Sequence, residues 1–495
     1  MPIELFNTLT GRKEAFHPAG EVVSMYVCGL TPKNHPHIGH AWLFVSVDVM
    51  RRYLELAGYR VEHVQNFTDV DDKIIEAGHR DGISPEQAAA RYIDSYWTAM
   101  DALNVLRPTV TPYATRYIDS MERVIEGLIE RGHAYEAAGD VYYRVDGFPE
   151  YGKLSGNTIN RLSAGARVEP GEHKEKPYDF ALWKAAKPGE PMWDSPWSKG
   201  RPGWHIECST MIHEVLGETI DVHWGGRDLI FPHHENEIAQ SEAYTGKQPF
   251  VRLWMHVGLM QTGSEKMAHS LGNFVTIHDM IREFGADVLR MYLVSEHYRT
   301  PVTFTTELVG RAGERLKRLR SAERNLRFLA EQCAKHPAGG DTFATGKLAD
   351  ALVEQAVDSL DQFRQAMDDD LNTPRAIAAI EALAKQINTT NDAVAHEPEL
   401  ATPELQPGLS RAADVYHQMT GVVGLILSED GGGRGAASLL VGPGPGDEDI
   451  QRLVDERTEA RRRKDFAAAD RIRQELVELG VTIEDRPQGT IWYRQ

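Results

Sequence analysis

One stretch constrains the fold more than any other. Val22–Val27 is a β-branched run closing on Cys28-Gly29, and a Pro- and His-rich loop follows it. Ala41–Leu56 then carries apolar residues at helical spacing and stops near Gly58, and Tyr59–Phe67 reads as a second strand. Strand, loop, helix and strand within about 45 residues make a βαβ unit, which predicts a parallel sheet and an α/β fold. Ligands on such sheets sit at the carboxyl ends of the strands, where Cys28 and Thr68 fall.

The remaining length must hold more than this unit. At about 150 residues per domain, 495 residues suggest three domains. Residues 1–305 are expected to form an α/β domain, with a turn-rich insertion at about 115–200. The core pattern resumes at Gly203, with a helix over Pro232–Tyr244 and a strand over Val251–His256. Residues 306–427 have few Gly or Pro and long helical periodicity, so a helical bundle is expected. The Gly- and Pro-rich stretch 428–449 reads as a flexible linker. Residues 450–495 form a small α+β module: a charged helix or helix pair over Ile450–Leu479, then strand character to Tyr493 with a turn at Pro487-Gln-Gly489.

Composition narrows the class of function. Lys and Arg number 54 against 73 Asp and Glu, a net charge of −19 that argues against non-specific nucleic-acid coating and anionic membrane surfaces. A specific RNA partner stays open, because recognition depends on local patches. No apolar run reaches the length of a membrane span, and the start lacks the pattern of a secretory signal. Three cysteines, Cys28, Cys208 and Cys333, make no disulfide framework. A reducing, cytoplasmic location is expected.

Three segments carry chemistry. His37-Ile-Gly39-His40 lies where a strand gives way to a helix, so amides at the helix N-terminus face a phosphate and the two imidazoles donate to phosphoryl oxygens. Gly39 lets a base or ribose approach the backbone. That word, in that place, favours nucleotide chemistry. Further on stand Trp204-His-Ile-Glu-Cys208, His223-Trp-Gly225-Gly226-Arg-Asp228 and Pro232-His233-His-Glu-Asn-Glu237. Pro232 suits a first helical turn, and on that helix His233 and Glu237 share a face. Two cysteines and this pair are acceptable zinc ligands, yet cysteines so far apart are as readily buried hydrophobes. The residues alone leave both readings open. The third segment, Lys266-Met-Ala-His269-Ser270-Leu-Gly-Asn273, is a polar loop whose Lys266 can stabilise charge on a triphosphate. The basic run Arg311–Arg327 reads as a solvated helix face, and Trp492 and Tyr493 suit either base stacking or a small core.

In this order the segments resemble the cysteinyl-tRNA synthetase family, of class I, over essentially the whole chain. Tyr26-Val-Cys-Gly-Leu-Thr31, Asn66-Phe-Thr-Asp-Val-Asp-Asp-Lys-Ile74, Phe231–Ser241 and the ending Gly489-Thr-Ile-Trp492 add to the match. The resemblance implies a Rossmann-type catalytic domain with a connective insertion, a helical bundle and an anticodon-recognising module. It implies that L-cysteine and ATP give cysteinyl-adenylate and pyrophosphate, and that the cysteinyl group passes to the 3′ end of tRNA(Cys). Cys28, Cys208, His233 and Glu237 become ligands of one zinc ion per chain, and Mg²⁺ accompanies ATP. Gly29, Thr68, Trp204 and Asp228 are placed around the amino acid. His37, Gly39, His40, Gly225, Gly226, Lys266 and His269 are placed around ATP, with both signature histidines, Lys266 and His269 in catalysis. A monomer is expected.

Three departures stand out. His269 replaces the second lysine of the family's Lys-Met-Ser-Lys-Ser loop, which implies a weaker or more pH-sensitive adenylation step. Trp224 opens what is usually a triple-glycine stretch, a change expected to bear on the adenosine pocket. Lys73-Ile-Ile-Glu76 lacks the second lysine of a pair that some relatives associate with persulfide synthesis. Two rival readings are a cysteine ligase acting on an amino sugar, which needs no terminal module, and a non-catalytic RNA-binding paralogue suggested by His269.

Overall fold

The computed structural model describes residues 2–161, 173–262, 265–266, 275–335, 342–427, 447–463, 465–478, 481–486 and 489–494. His269, Lys464 and most of the expected linker lie outside them, as does the Pro487-Gln turn.

The chain opens with a hairpin, β1 (Glu4–Asn7) and β2 (Arg12–Ala15), followed by the expected unit: β3 (Val22–Leu30), α1 (Ile38–Leu56) and β4 (Arg60–Phe67). Helix α1 begins three residues before the apolar periodicity does, because His37 is its extended N-cap. Two further helices follow, α2 (Asp72–Asp81), capped by the Asp71 carboxylate, and α3 (Pro85–Ala102), which has a Ser84–Gln87 capping box.

The insertion holds helix α4 (Ile118–Glu130) and a four-stranded antiparallel sheet. Its strands are β5 (Ala134–Ala137), β6 (Asp140–Tyr143), β7 (Phe180–Ala185) and β8 (Gly200–Pro202), paired in sequence order. It shares a hydrophobic core with the catalytic sheet: Val141, Tyr143, Phe180 and Trp183 join Tyr26, Val64, Ile206 and Trp254 in one buried cluster.

The chain returns through α5 (Trp204–Val215), β9 (Ile220–Gly226), α6 (Glu235–Thr245) and β10 (Val251–Val257). The parallel sheet has the order β10-β9-β3-β4, with Tyr26 opposite His223 and His223 opposite Trp254. Phe231 is extended, and the chain enters α6 through a π-type turn over Ile230–His234, so regular helix starts at Glu235 rather than at Pro232. Short strands β11 (Met260–Thr262), β12 (Glu265–Lys266) and β13 (Val302–Phe304) form a small sheet, with α7 (Ile277–Phe284) and α8 (Ala286–Val294) between the last two.

Four long helices follow: α9 (Thr306–Lys335), α10 (Thr342–Asp368), α11 (Thr373–His396) and α12 (Gln406–Val422). The basic residues of α9 are largely ion-paired, Arg315 with Glu381 and Arg320 with Asp287 among them.

A second compact unit, residues 434–495, contains α13 (Asp447–Arg462), α14 (Phe466–Glu478) and the antiparallel pair β14 (Val481–Arg486) and β15 (Gly489–Arg494). Residues 447–449, read as linker from their acidic and Gly-rich surroundings, form the first turn of α13. The architecture is α/β throughout the first three hundred residues, then helical, then a small α+β unit. No described helix is long and apolar enough to cross a membrane.

Candidate functional site

The carboxyl ends of β3 and β9 and the start of α1 open onto a cavity of about 580 Å³. Cys28 and Gly29 line it from β3, His37, Gly39 and His40 from the start of α1, Trp204 from α5, and Gly226 and Asp228 from the end of β9. At Gly29 the chain passes so close to β4 that a Cβ would lie 1.6 Å from the Asn66 carbonyl oxygen, so no larger residue fits. The Gly29 amide instead donates to Asn66 Oδ1 at 2.8 Å.

The two signature histidines stack, ring centroids 3.6 Å apart. Burial, with His37 and Lys33 beside it, holds His40 well below the ordinary imidazole range. The His37 amide donates to His40 Nδ1 at 3.1 Å, which leaves the neutral ring's proton on Nε2. Behind them, Ile38 N donates to Val275 O and Ile277 N to Pro36 O, tying this loop to the segment after residues 267–274. Strand β12 pairs Lys266 with Gln261 of β11, whose neighbour Met260 lines the cavity; the Lys266 side chain lies outside the description.

Beside the cavity sits a buried cluster. Cys28 Sγ and Cys208 Sγ are 3.8 Å apart, Cys28 Sγ lies 3.5 Å from Glu237 Oε1, and His233 Nε2 lies 2.9 Å from that same oxygen. One donor atom from each of the four lies within 4.8 Å of the others, close enough to share a metal ion. Burial pushes the Cys28 thiol well up, with Cys208 and Glu237 adding to it. The hydrogen bond from Cys28 brings Cys208 down to about 6. Burial opposes charge on the other two, yet His223 and His233 hold Glu237 well below the carboxylate range, and Glu237 and Cys208 raise His233 to about 10. The cluster thus sets two groups that favour the anionic form, Cys208 and Glu237, and one neutral thiol, Cys28, around the His233 ring. Trp204 stacks on His233 at 4.4 Å and joins the cluster to the cavity.

Some expected residues stand elsewhere. Thr68 is buried behind the cavity wall, bonded to Asn66 and Glu207. Gly225 packs against the His234 ring rather than lining the cavity. The Trp224 indole is fully buried, donates to Met50 Sδ and packs on Tyr298, so it does not line the cavity.

Spacing arguments missed three histidines. His223 Nε2 bonds Glu237 Oε2 at 2.9 Å, and His234 Nε2 lies 3.4 Å from Cys28 Sγ. His256 in turn links His234 to Thr8 at 2.8 Å on each side. Cys28, His223, His234 and Glu237 form a second, overlapping donor set. The three-residue step from His234 to Glu237 was the available signal, since a helix brings i,i+3 pairs together as well as i,i+4.

Residues 15–314 match the tRNA synthetases class I (C) catalytic domain, 362–428 the DALR domain, and 446–494 the cysteinyl-tRNA ligase anticodon binding domain. The chain is 45% identical to the cysteine–tRNA ligase of Heliobacterium modesticaldum, with 99% of each chain covered. It is 46% identical to that of Geobacillus thermodenitrificans, again over 99% of each. Its fold is similar to that of Mycobacterium tuberculosis methionyl-tRNA synthetase in complex with methionyl-adenylate. There the TM-score is 0.60 at 16% identity, covering 85% of this chain and 93% of that one. The chain belongs to the cysteinyl-tRNA synthetase family of class I aminoacyl-tRNA synthetases.

Proposed function

We propose that the protein activates L-cysteine with ATP, releasing pyrophosphate, and transfers the cysteinyl group to the 3′ end of tRNA(Cys). The observation that carries this reading is a thiol-rich donor set, Cys28, Cys208, His233 and Glu237, opening through Trp204 onto a cavity framed by His37 and His40. A tetrahedral zinc ion with bonds of about 2.0–2.3 Å has ligand–ligand edges of about 3.3–3.8 Å. The Cys28–Cys208 and Cys28–Glu237 separations of 3.8 and 3.5 Å fit that figure. These four residues would hold one zinc ion, whose chemistry is to bind a substrate thiolate far better than the hydroxyl of serine.

The chain's own groups supply the rest. His40 presents Nε2–H and His37 its ring to the phosphates of ATP, with Gly39 and Gly226 shaping the nucleotide side. Lys266 and His269 stabilise charge on the departing pyrophosphate, and Mg²⁺ accompanies the nucleotide. Gly29, Trp204 and Asp228 orient the amino acid beside the cluster. Shape alone separates near-isosteres by only about 10–200-fold, so the donor set removes the need for an editing site. The reading places the enzyme in the cytoplasm as a monomer.

The test is ATP-dependent charging of tRNA(Cys) with labelled cysteine, serine run in parallel, together with zinc content by atomic emission. One zinc per chain, charging with cysteine and none with serine are expected, and Cys208→Ser should lose both the metal and the charging. Charging of serine, or full activity in Cys208→Ser, counts against the assignment.

A further inference from the structure

The turn between α10 and α11 delivers one carboxylate into the catalytic domain. Asp370 is fully buried, and both it and Leu371 adopt left-handed backbone, φ 62° and 52°. Non-glycine residues hold that conformation only where packing and hydrogen bonds enforce it. Here they do. Asp370 Oδ1 accepts from the Phe6 amide at 2.9 Å and from the Tyr298 hydroxyl at 2.6 Å. Its Oδ2 accepts from Arg299 Nε at 2.6 Å and from Arg299 Nη2 at 2.5 Å. The Asp370 amide donates to Glu4 O, and the Arg299 guanidinium lies 4.3 Å over the Phe6 ring.

What Asp370 grips is the outer support of the cavity. Gly258 N donates to Tyr298 O at 2.7 Å, and Val302 N donates to Leu259 O at 3.0 Å. A Cβ on Gly258 would lie 2.3 Å from the Thr300 carbonyl oxygen, so the two segments are in backbone contact. Gly258, Leu259 and Met260 line the cavity wall near His37 and His40, and Trp42 of α1 donates to Gly258 O. Strand β13 then runs parallel to β11, which pairs with the strand that ends at Lys266.

We infer that Asp370, through Tyr298 and Arg299, is a positioning residue for the nucleotide. It sets the 258–260 wall and the strand leading to Lys266 against the His37–His40 loop. The inference rests on the ATP reading of this cavity. A buried carboxylate bonded to four donors holds its neighbours to a narrow geometry, and small misplacements of reacting groups cost large factors in rate. Asp370, Tyr298 and Arg299 make none of these contacts with Cys28, Cys208, His233 or Glu237, so handling of the amino acid should be spared.

The test uses zinc-loaded full-length protein with Asp370→Asn and, as a milder change, Tyr298→Phe. Cysteine-dependent ATP–pyrophosphate exchange and calorimetric binding of ATP alone are measured well below each melting temperature. In Asp370→Asn, kcat/KM for ATP should fall by about tenfold or more and ATP binding should weaken, with KM for cysteine within about twofold of wild type. Tyr298→Phe should move the same two values in the same direction by about two- to threefold. If both variants keep ATP kcat/KM and affinity within about twofold, or if KM for cysteine rises in step, the inference is overturned. Failure of the wild type to activate cysteine would instead overturn the proposed function, and the ATP affinities would still decide the role of Asp370.

Discussion

At position 269 an imidazole stands where the resemblance implies an ammonium, and the two differ in when they carry charge. An unperturbed imidazole titrates near 6.5 and a lysine near 10.4, and neighbouring phosphates raise the former. An imidazole carries positive charge at low pH and loses it as pH rises, whereas a lysine keeps it through neutrality. In pyrophosphate exchange, His269→Lys should raise kcat several-fold at pH 8 and change it little at pH 6; no gain at pH 8 would sink the idea. At this scale the sequence was readable where residues lay within one turn of each other along the chain. His233 and Glu237 announced themselves by helical spacing. Cys28 and Cys208 did not, because only the pairing of β3 with β9 and the return through α5 bring them together. His223 was hidden for another reason: in a strand buried on both faces, alternation cannot say which face meets the cluster.

Between elements, one buried tie was not visible in the sequence. Asp48 of α1 and Arg290 of α8 are both about 1% exposed at their side chains and form an ion pair. Arg290 also donates to Val423 O at 2.8 Å and Leu103 O at 2.6 Å, while Asp48 accepts from Arg52 Nε and Leu106 N at 2.8 Å each. One guanidinium thus joins α1, α8, the end of α3 and the end of α12. Periodicity gave α1 and the helical region because their apolar stripes are local, but a charged residue inside a helix reads as surface until its partner is known. Breaking a buried pair by removing one member costs about 3–5 kcal/mol. Arg290→Met should therefore lower the melting temperature markedly, and adding Asp48→Asn should restore part of the loss; an unchanged melting temperature would contradict this. Burial opposes ionisation of Asp48, but Arg290 and Arg52 outweigh it and hold the carboxyl below its ordinary value. Its contribution is complete at neutral pH and fades as pH falls through the folded-state value, so the deficit of Arg290→Met should shrink in acid.

Across the whole molecule, the division of labour follows from which parts own a core. Residues 1–433 form one compact unit in which insertion and sheet share one buried cluster and the long helices are tied in through Arg290 and Asp370, and residues 434–495 form another, where Val454 and Leu476 pack with Leu453 and Ile472. A net charge of −19 says little about RNA, because the basic residues of α9 are spent on internal ion pairs while residues 451–480 hold eight Lys and Arg against seven Asp and Glu. If the terminal unit reads the anticodon, its removal leaves adenylate formation intact and takes away one of two tethered contacts with the tRNA. Losing such a contact costs about 10²–10⁴ in apparent affinity. A chain ending at Gly433 should keep cysteine-dependent pyrophosphate exchange within about threefold of full length, and its kcat/KM for tRNA charging should fall by at least about 100-fold. Loss of exchange would mean that the catalytic unit needs the terminal one to fold. Undiminished charging would place tRNA recognition entirely within the first unit, where the unpaired cations would then have to be sought.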